Sequence, residues 1–427
     1  MNLAEALITM ATPVRIPGQS DSTLVADVQN ELNLMSTKAA SSGQVLPTKP
    51  LSPATGVASG LATRPIDALH RLAMATRPLI SDDVYSWYRH WSWLRYLGIF
   101  DVSGSGLRLS AAGLKVRANQ RRVMSEELGV GVGILVAEQW CRHLGATGPI
   151  VVVDVDLALY EGRRWVDLHA GKLRVGGRQP DYLMIYPDRS SSRTFTFKAV
   201  ECKGTVSPAN ARGQLARAAT QLASLSLGGS PPQGIAVGTI SDRAGIRYRA
   251  VDPKEDSDSD VVTISDADLR RARQPAGAER SDAGVISLPA GEFIANSLLV
   301  GMGTLADYAG NLPAAAEFLP PATRERLQRV ERDRTTRETE DGQFVGVEQL
   351  LPTPGGEQLR VFSGVAAAVD TALTSGSVEA VRTAQVQFQQ GRPSRMTTSQ
   401  PQEPDLSDGP VVATSSDGAV LILSRSR

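Results

Sequence analysis

The hydrophobic pattern divides the chain into a sparse N-terminal stretch, a dense middle, and a C-terminal third where periodicity fades. Residues 1–60 are rich in Ser, Thr, Pro and Ala. One helix is expected around Val25–Met35, and the remainder reads as flexible leader. Periodic apolar positions predict helices over Asp67–Arg77 and Val84–Leu97; Ser81-Asp-Asp gives the second an N-cap and an acidic first turn. That second helix carries Trp87, Tyr88, Trp91, Trp93 and Tyr96, the pattern of a small helical core. Two short apolar runs follow it, the first ending at Val102 and the second opening at Leu107, with a Gly/Ser turn between them.

From Ser125 the signal strengthens. A helix is expected from Ser125-Glu-Glu through Glu138 to a stop at Gly145, its first half loosened by Gly129, Gly131 and Gly133. Pro149–Tyr160 reads as an apolar strand with Asp154 and Asp156 on one face. Trp165–Leu168 and a Gly-rich loop at 171–177 lead into two strand-like runs, Gln179–Tyr186 and Thr194–Lys203. A helix opened by Ser207-Pro208 is expected to run to about Leu227, with Leu215, Ala218, Ala219, Leu222 and Leu225 on its apolar face and Gln214, Arg217 and Gln221 on another. Gly234–Ile240 and Ile246–Val251 read as strands. The order helix, strand, hairpin, helix, strand predicts an α/β fold, a mixed central β-sheet flanked by helices. Beyond it, 253–283 reads as a loop, Ala290–Asn311 as an apolar helix, Arg324–Arg337 as a charged helix, and Gln387–Asp408 as polar tail.

The chemistry concentrates in the hairpin. Asp181 opens its first run; Glu201 and Lys203 close its second, and the midpoint falls at Ser191 inside the turn-forming run Pro187–Arg193. Antiparallel pairing about that turn sets Asp181 opposite Glu201. Alternation then puts Glu201 and Lys203 on one face and Cys202 on the other. Two carboxylates and an ammonium at one end of a sheet suit a hard divalent cation and a phosphodiester. Other Pro-Asp and acid-x-Lys pairs sit in the wrong context: Pro187-Asp188 lies in the turn, Pro404-Asp405 in the polar tail, and Asp252-Pro-Lys254 has a proline that a central strand rejects.

Composition narrows the partners. The 427 residues carry 45 Lys+Arg against 45 Asp+Glu, so contact with nucleic acid must come from local basic patches. Lysine occurs only at 38, 49, 115, 172, 198, 203 and 254, so Lys203 does not come from a dense background. The two cysteines, Cys141 and Cys202, give no disulfide framework or zinc site, and the four histidines lack metal-ligand spacing. Apolar stretches fall short of a membrane span. Met1–Met10 contains Glu5 and no basic leader, so a cytoplasmic protein is expected. The Gly-rich runs lack the Gly-Lys-Ser/Thr ending of a nucleotide-binding loop.

With Asp181, Glu201-x-Lys203 and the upstream Glu138, residues 125–252 resemble the PD-(D/E)xK nuclease superfamily, the restriction-endonuclease-like fold. Residues 61–124 resemble a winged-helix-like module, with Arg89, Arg95, Arg108, Lys115, Arg117, Arg121 and Arg122 for DNA backbone. Around these two units the residue pattern gives a flexible leader at 1–60, a C-terminal mainly helical region at 253–385 and a polar tail at 386–427. The resemblance implies a metal-dependent endodeoxyribonuclease in which Asp181, Glu201 and the Cys202 carbonyl hold Mg²⁺ or Mn²⁺. Lys203 would stabilise the hydroxide and the anionic transition state. Glu138 and Gln214 (or Gln221) would complete the catalytic set, and Arg178 is a candidate phosphate contact. DNA would be the partner in defence or repair, without a membrane, and a homodimer is among the assemblies allowed. The competing expectations are a non-catalytic DNA-binding regulator on the same fold and an assembly protein working through its C-terminal region.

Overall fold

A computed structural model describes residues 1–76, 90, 93–104, 106–162, 179–188, 193–253, 260–274, 279–280, 285–319, 324, 333–353, 355–392 and 409–426. Most of the Val84–Leu97 aromatic helix, Trp165–Leu168, the 171–177 loop, Arg178 and the tip of the hairpin turn lie outside these residues. The molecule is mixed α/β. No helix among the described residues is long and apolar enough to cross a membrane.

The elements that position the hairpin are α1 (Pro65–Ala75), α2 (Ala118–His143), β1 (Val151–Asp154), β2 (Tyr182–Pro187), β3 (Thr194–Thr205), α3 (Asn210–Leu222), β4 (Gly234–Asp242), β5 (Gly245–Pro253) and α4 (Ala290–Tyr308). Strands β5-β4-β3-β2-β1 lie side by side in one mixed sheet, which Gly18–Gln19 extends beyond β5. β1, β2 and β3 pair antiparallel, α3 crosses over, and β4 returns parallel to β3. A parallel return needs such a crossover, and α3 supplies it.

Both faces of this sheet are buried: β2 and β4 are apolar along most of their length, and β3 is buried along almost all of its own although it carries Lys198, Glu201 and Lys203. On one face Leu183, Ile185, Phe197, Ala199 and Ala236 pack with Leu215 and Leu222 of α3 and Phe293 of α4. On the other, Tyr182, Met184, Val200, Cys202 and Val237 pack with Val132, Val136 and Trp140 of α2 and with Leu69 and Leu72 of α1. The glycines of α2 let its backbone touch the sheet. A Cβ on Gly133 would fall 2.6 Å from Cys202 Sγ, and one on Gly129 would fall 2.8 Å from Gly204 N. The helix ends as expected at Gly145, whose φ of 101° only glycine adopts freely. It begins seven residues before Ser125, which lies buried inside it.

Several expectations are corrected. The 1–60 leader is structured: helices span Leu3–Ala11 and Ser22–Ala40, and the expected Val25–Met35 helix lies within the second. Asp21 caps that helix by accepting from Leu24 N at 2.7 Å, and Leu24, Val28 and Leu32 form a stripe buried against the α3 side of the sheet. Small polar residues dilute this stripe enough to mimic a disordered leader. The hairpin Phe100–Ser103/Gly106–Leu109 forms as expected, but Val14–Ile16 and Leu61–Thr63 join it in a four-stranded sheet. Pro149–Tyr160 is strand only over Val151–Asp154; from Leu157 the chain coils into a π-helical turn.

The polar tail at 386–427 contains strands Val411–Thr414 and Ala419–Ser426, whose Val420, Leu421 and Leu423 are buried. These strands join Thr335–Thr339, Gly342–Pro352 and Gln358–Ala366 in an antiparallel five-stranded sheet, so 253–385 is not mainly helical. The charged-helix expectation for Arg324–Arg337 fails at Thr335, where a strand begins. These strands escape a local reading because their pairing is assembled across long separations, as between 358–366 and 419–426.

A Cβ on Gly204 would fall 1.6 Å from the Ser125 carbonyl oxygen, a backbone atom that cannot yield without moving α2. Gly204→Ala should therefore destabilise the fold by about 3 kcal/mol, the upper end of overpacking. Gly391→Ala, at the end of the helix Val378–Gly391, where a Cβ meets nothing within 4 Å among the described residues, should not lower the melting temperature. Equal melting curves for the two variants would contradict the packing described.

Candidate active site at the end of the hairpin

The register pairs Tyr182 with Val200, so Asp181, one residue ahead of β2, stands opposite Glu201. The two side chains hold each other through the opposing backbone. Asp181 N donates to Glu201 Oε2 at 2.8 Å, and Cys202 N donates to Asp181 Oδ2 at 2.9 Å. The Lys203 ammonium donates to Glu201 Oε1. Val155 N donates to the Asp181 carbonyl at 3.0 Å, tying the site to the end of β1. The expected convergence of Asp181, Glu201 and Lys203 is what the structure shows.

Alternation sorts the neighbours. Cys202 faces α2, whereas Glu201 and Lys203 face α3: their parallel neighbours Ala236 and Gly238 lie on the side where Leu215 packs. Over that face Gln214 Nε2 donates to the Gly204 carbonyl and Gln221 Nε2 to the Gln179 carbonyl, each at 3.4 Å. The Gln179 amide in turn donates to Asp156. Gln214 Oε1 is buried with no hydrogen-bond partner among the described residues, so one polar atom beside Lys203 remains unsatisfied.

Burial governs the electrostatics. Glu201 has no exposed surface, and its carboxyl is pushed well above the usual range by burial first and by Asp181 second, with Lys203 opposing. Asp181 is raised by burial, against the pull of Lys203 and of the Cys202 N–H. Two carboxyls that repel each other in a dry site are the donor set a hard dication relieves. Asp181 and Glu201 fit Mg²⁺ in that chemical sense. No group of three or more His, Cys, Asp or Glu side chains suited to a metal occurs among the described residues, so an ion held here would keep several waters.

Glu138 is elsewhere. It sits on α2, on the Cys202 side of the sheet, and forms an ion pair with Arg71 of α1. Its carboxyl is raised by burial, opposed by Arg71, and feels Asp417 of the C-terminal sheet. The helix meets Gly204 at Gly129 and Cys202 at Gly133, so Glu138 has already passed the site and points the wrong way. Gln214 is at the site. Asp154 and Asp156 do not share a strand face, because the strand stops at Asp154. Asp154 accepts from Leu157 N at 2.9 Å and is pushed up to about 6 by burial. The Asp156–Gln179–Gln221 chain was missed; its one sequence signal is that Gln221 repeats Gln214 two helical turns later.

Family models, curated proteins and solved structures were each compared with this chain, and none matches.

Both carboxyls titrate above their unfolded range, so the native state keeps protons that the unfolded chain has already released. Stability therefore falls as pH rises through that window, and the full penalty is present above it. Without metal, Glu201→Gln should melt higher than wild type at about pH 8, and the gain should vanish by about pH 4, where both states are protonated. Excess Mg²⁺ should shrink the gain by stabilising wild type alone. A difference constant across pH would show that the carboxyl is not held in the state described.

Proposed function

We propose that this protein is a metal-dependent nuclease that hydrolyses phosphodiester bonds of DNA in the cytoplasm, with residues 125–252 forming a restriction-endonuclease-like domain of the PD-(D/E)xK superfamily. The observation that carries the reading is the Asp181–Glu201–Lys203 cluster, held by reciprocal backbone hydrogen bonds across one strand pair. The order α2, β1, β2, β3, α3, β4 supports it, since it runs helix, three antiparallel strands, crossover helix and parallel strand.

Asp181 and Glu201 would hold Mg²⁺ or Mn²⁺ at the end of β3, with the Cys202 carbonyl completing the protein's share of the shell. When bound, the ion acidifies a water and neutralises charge on the phosphate. Lys203, now paired with Glu201, is released toward the phosphate once that carboxylate is engaged elsewhere. Its ammonium then sits beside the developing negative charge, where a fixed cation in a dry site is most effective. Gln214, anchored at Gly204, orients the attacking water, which donates to its unsatisfied Oε1. The basic strip around the Phe100–Leu109 hairpin, with Lys115, Arg117 and Arg122 exposed, serves as the DNA-backbone contact.

The test is incubation of the full chain with plasmid and with single-stranded DNA plus Mg²⁺ or Mn²⁺. Asp181→Ala and Lys203→Ala should each lose at least about a hundredfold in turnover, the scale of removing one transition-state stabiliser. Glu138→Gln should retain cleavage, because that carboxylate lies on the far face with Arg71. Binding without cleavage, insensitive to both alanine variants, would sink the catalytic reading in favour of a regulator; absence of any DNA interaction at low salt would sink both.

A further inference from the structure

Helix α3 carries an exposed charged side chain, on the flank that contacts the backbone at both ends of the cluster, for which neither the fold nor the site as described so far has a use. Gln214 and Gln221 lie two turns apart, and each is fixed to a backbone carbonyl on a different side of the acid–acid–lysine group. Gln214 holds Gly204, next to Lys203, and Gln221 holds Gln179, two residues before Asp181. The flank of α3 that bears them therefore spans the mouth of the site. Arg217 falls between them, three residues after one and four before the other, so all three share a helical face.

At roughly 100° per residue, Arg217 lies about 60° outward of Gln214, on the solvent side of that flank and away from the buried Leu215–Leu222 stripe. Its side chain is exposed, and no ion pair or side-chain hydrogen bond is formed by it among the described residues. Arg212 makes the contrast. It sits on the opposite flank of the same helix and is paired with Asp27 of the Ser22–Ala40 helix at 3.1 Å. One arginine of α3 is thus held in an ion pair, and the other lies on the flank that carries Gln214 and Gln221.

We propose that Arg217 is a phosphate-binding residue of this site, gripping the nucleic-acid backbone next to the bond that Asp181, Glu201 and Lys203 act on. The inference rests on the nuclease reading above. A planar guanidinium suits this place because it takes two phosphate oxygens at once through parallel N–H donors. The two anchored glutamines fix the helix against the strands, so the base of the Arg217 side chain is placed even though its tip is in solvent. The ligand class is a phosphodiester strand, single or double, without base preference, since a backbone contact carries no sequence information.

The experiment uses the full chain and a labelled DNA oligonucleotide, reading cleavage with Mg²⁺ and binding in EDTA across a salt series. Arg217→Gln should raise KM about tenfold, the scale of losing a hydrogen-bonded charge, while kcat stays within about twofold, as for a contact made equally in ground and transition states. It should also lower the slope of log affinity against log salt by about one, the signature of one lost phosphate contact. Arg217→Lys should restore the slope and part of the affinity, and Arg212→Gln should change neither. An unchanged KM and salt slope in Arg217→Gln, with wild type cleaving, overturns this inference and leaves the nuclease reading standing. If wild type binds without cleaving yet Arg217→Gln still lowers the slope, the phosphate contact stands and the nuclease reading falls. A wild type that neither binds nor cleaves overturns both.

Discussion

One strand register governs the chemistry of this protein. Because Tyr182 pairs with Val200, Asp181 and Glu201 face each other, and Lys203 follows on the same side. A slip of one residue would turn Glu201 and Lys203 toward α2 and bring Cys202 to the α3 face. The register is enforced at several points. The apolar members of β2 and β3 are divided between two cores, so a slipped strand would bury the wrong set on each face. The two acids add a local lock, each accepting from the backbone of the other's strand.

The hairpin was legible because its signals are local. Its turn residues fix the centre, its apolar runs fix the pairing, and alternation then decides which charges meet. The same locality made α2, α3, β4 and β5 readable. Glu138 was misjudged because its role depends on which face of the sheet α2 covers, a tertiary fact absent from its neighbourhood in sequence. Its partner Arg71 lies 67 positions away, beyond any periodic pattern. The N-terminal segment and the C-terminal sheet were misjudged for a related reason. The apolar positions of the N-terminal helix are few and widely spaced, those of the C-terminal strands pair only across long separations, and both become core only when brought against elements far along the chain, as Leu24, Val28 and Leu32 are against α3.

Burial gives the site its energetic character. An acid with no exposed surface beside a second acid is unfavourable in the absence of a counter-ion. Lys203 offsets part of this, yet Glu201 remains driven toward its neutral form. On the opposite face of β3 a buried charge is fully paired. Lys198 is held by Asp260 at 2.5 Å and by Gln233 at 2.8 Å, and Asp260 also accepts from Gln233 N. That network needs nothing further, whereas the Asp181–Glu201 pair is unbalanced by one negative charge. The contrast between a closed network at Lys198 and an unbalanced one at Glu201, three residues on along β3, is the strongest physical ground for assigning binding to the second.

The geometry of this pair is set from the face that carries no chemistry. Glycines at 129, 133 and 204 bring α2 onto β3 at the very residues, 202 to 204, whose opposite side bears the charges. A bulkier residue at any of these contacts would lift the helix or tilt the strand end. The displacement would reach Lys203 directly, since its own carbonyl carbon is one of the atoms a Cβ on Gly129 would meet, at 2.9 Å. A densely packed core transmits such shifts with little attenuation. The absence of side chains at these three positions thus does for the charged end of β3 what a supporting shell of hydrogen bonds does in other sites: it fixes the strand, and through the strand the carboxylates.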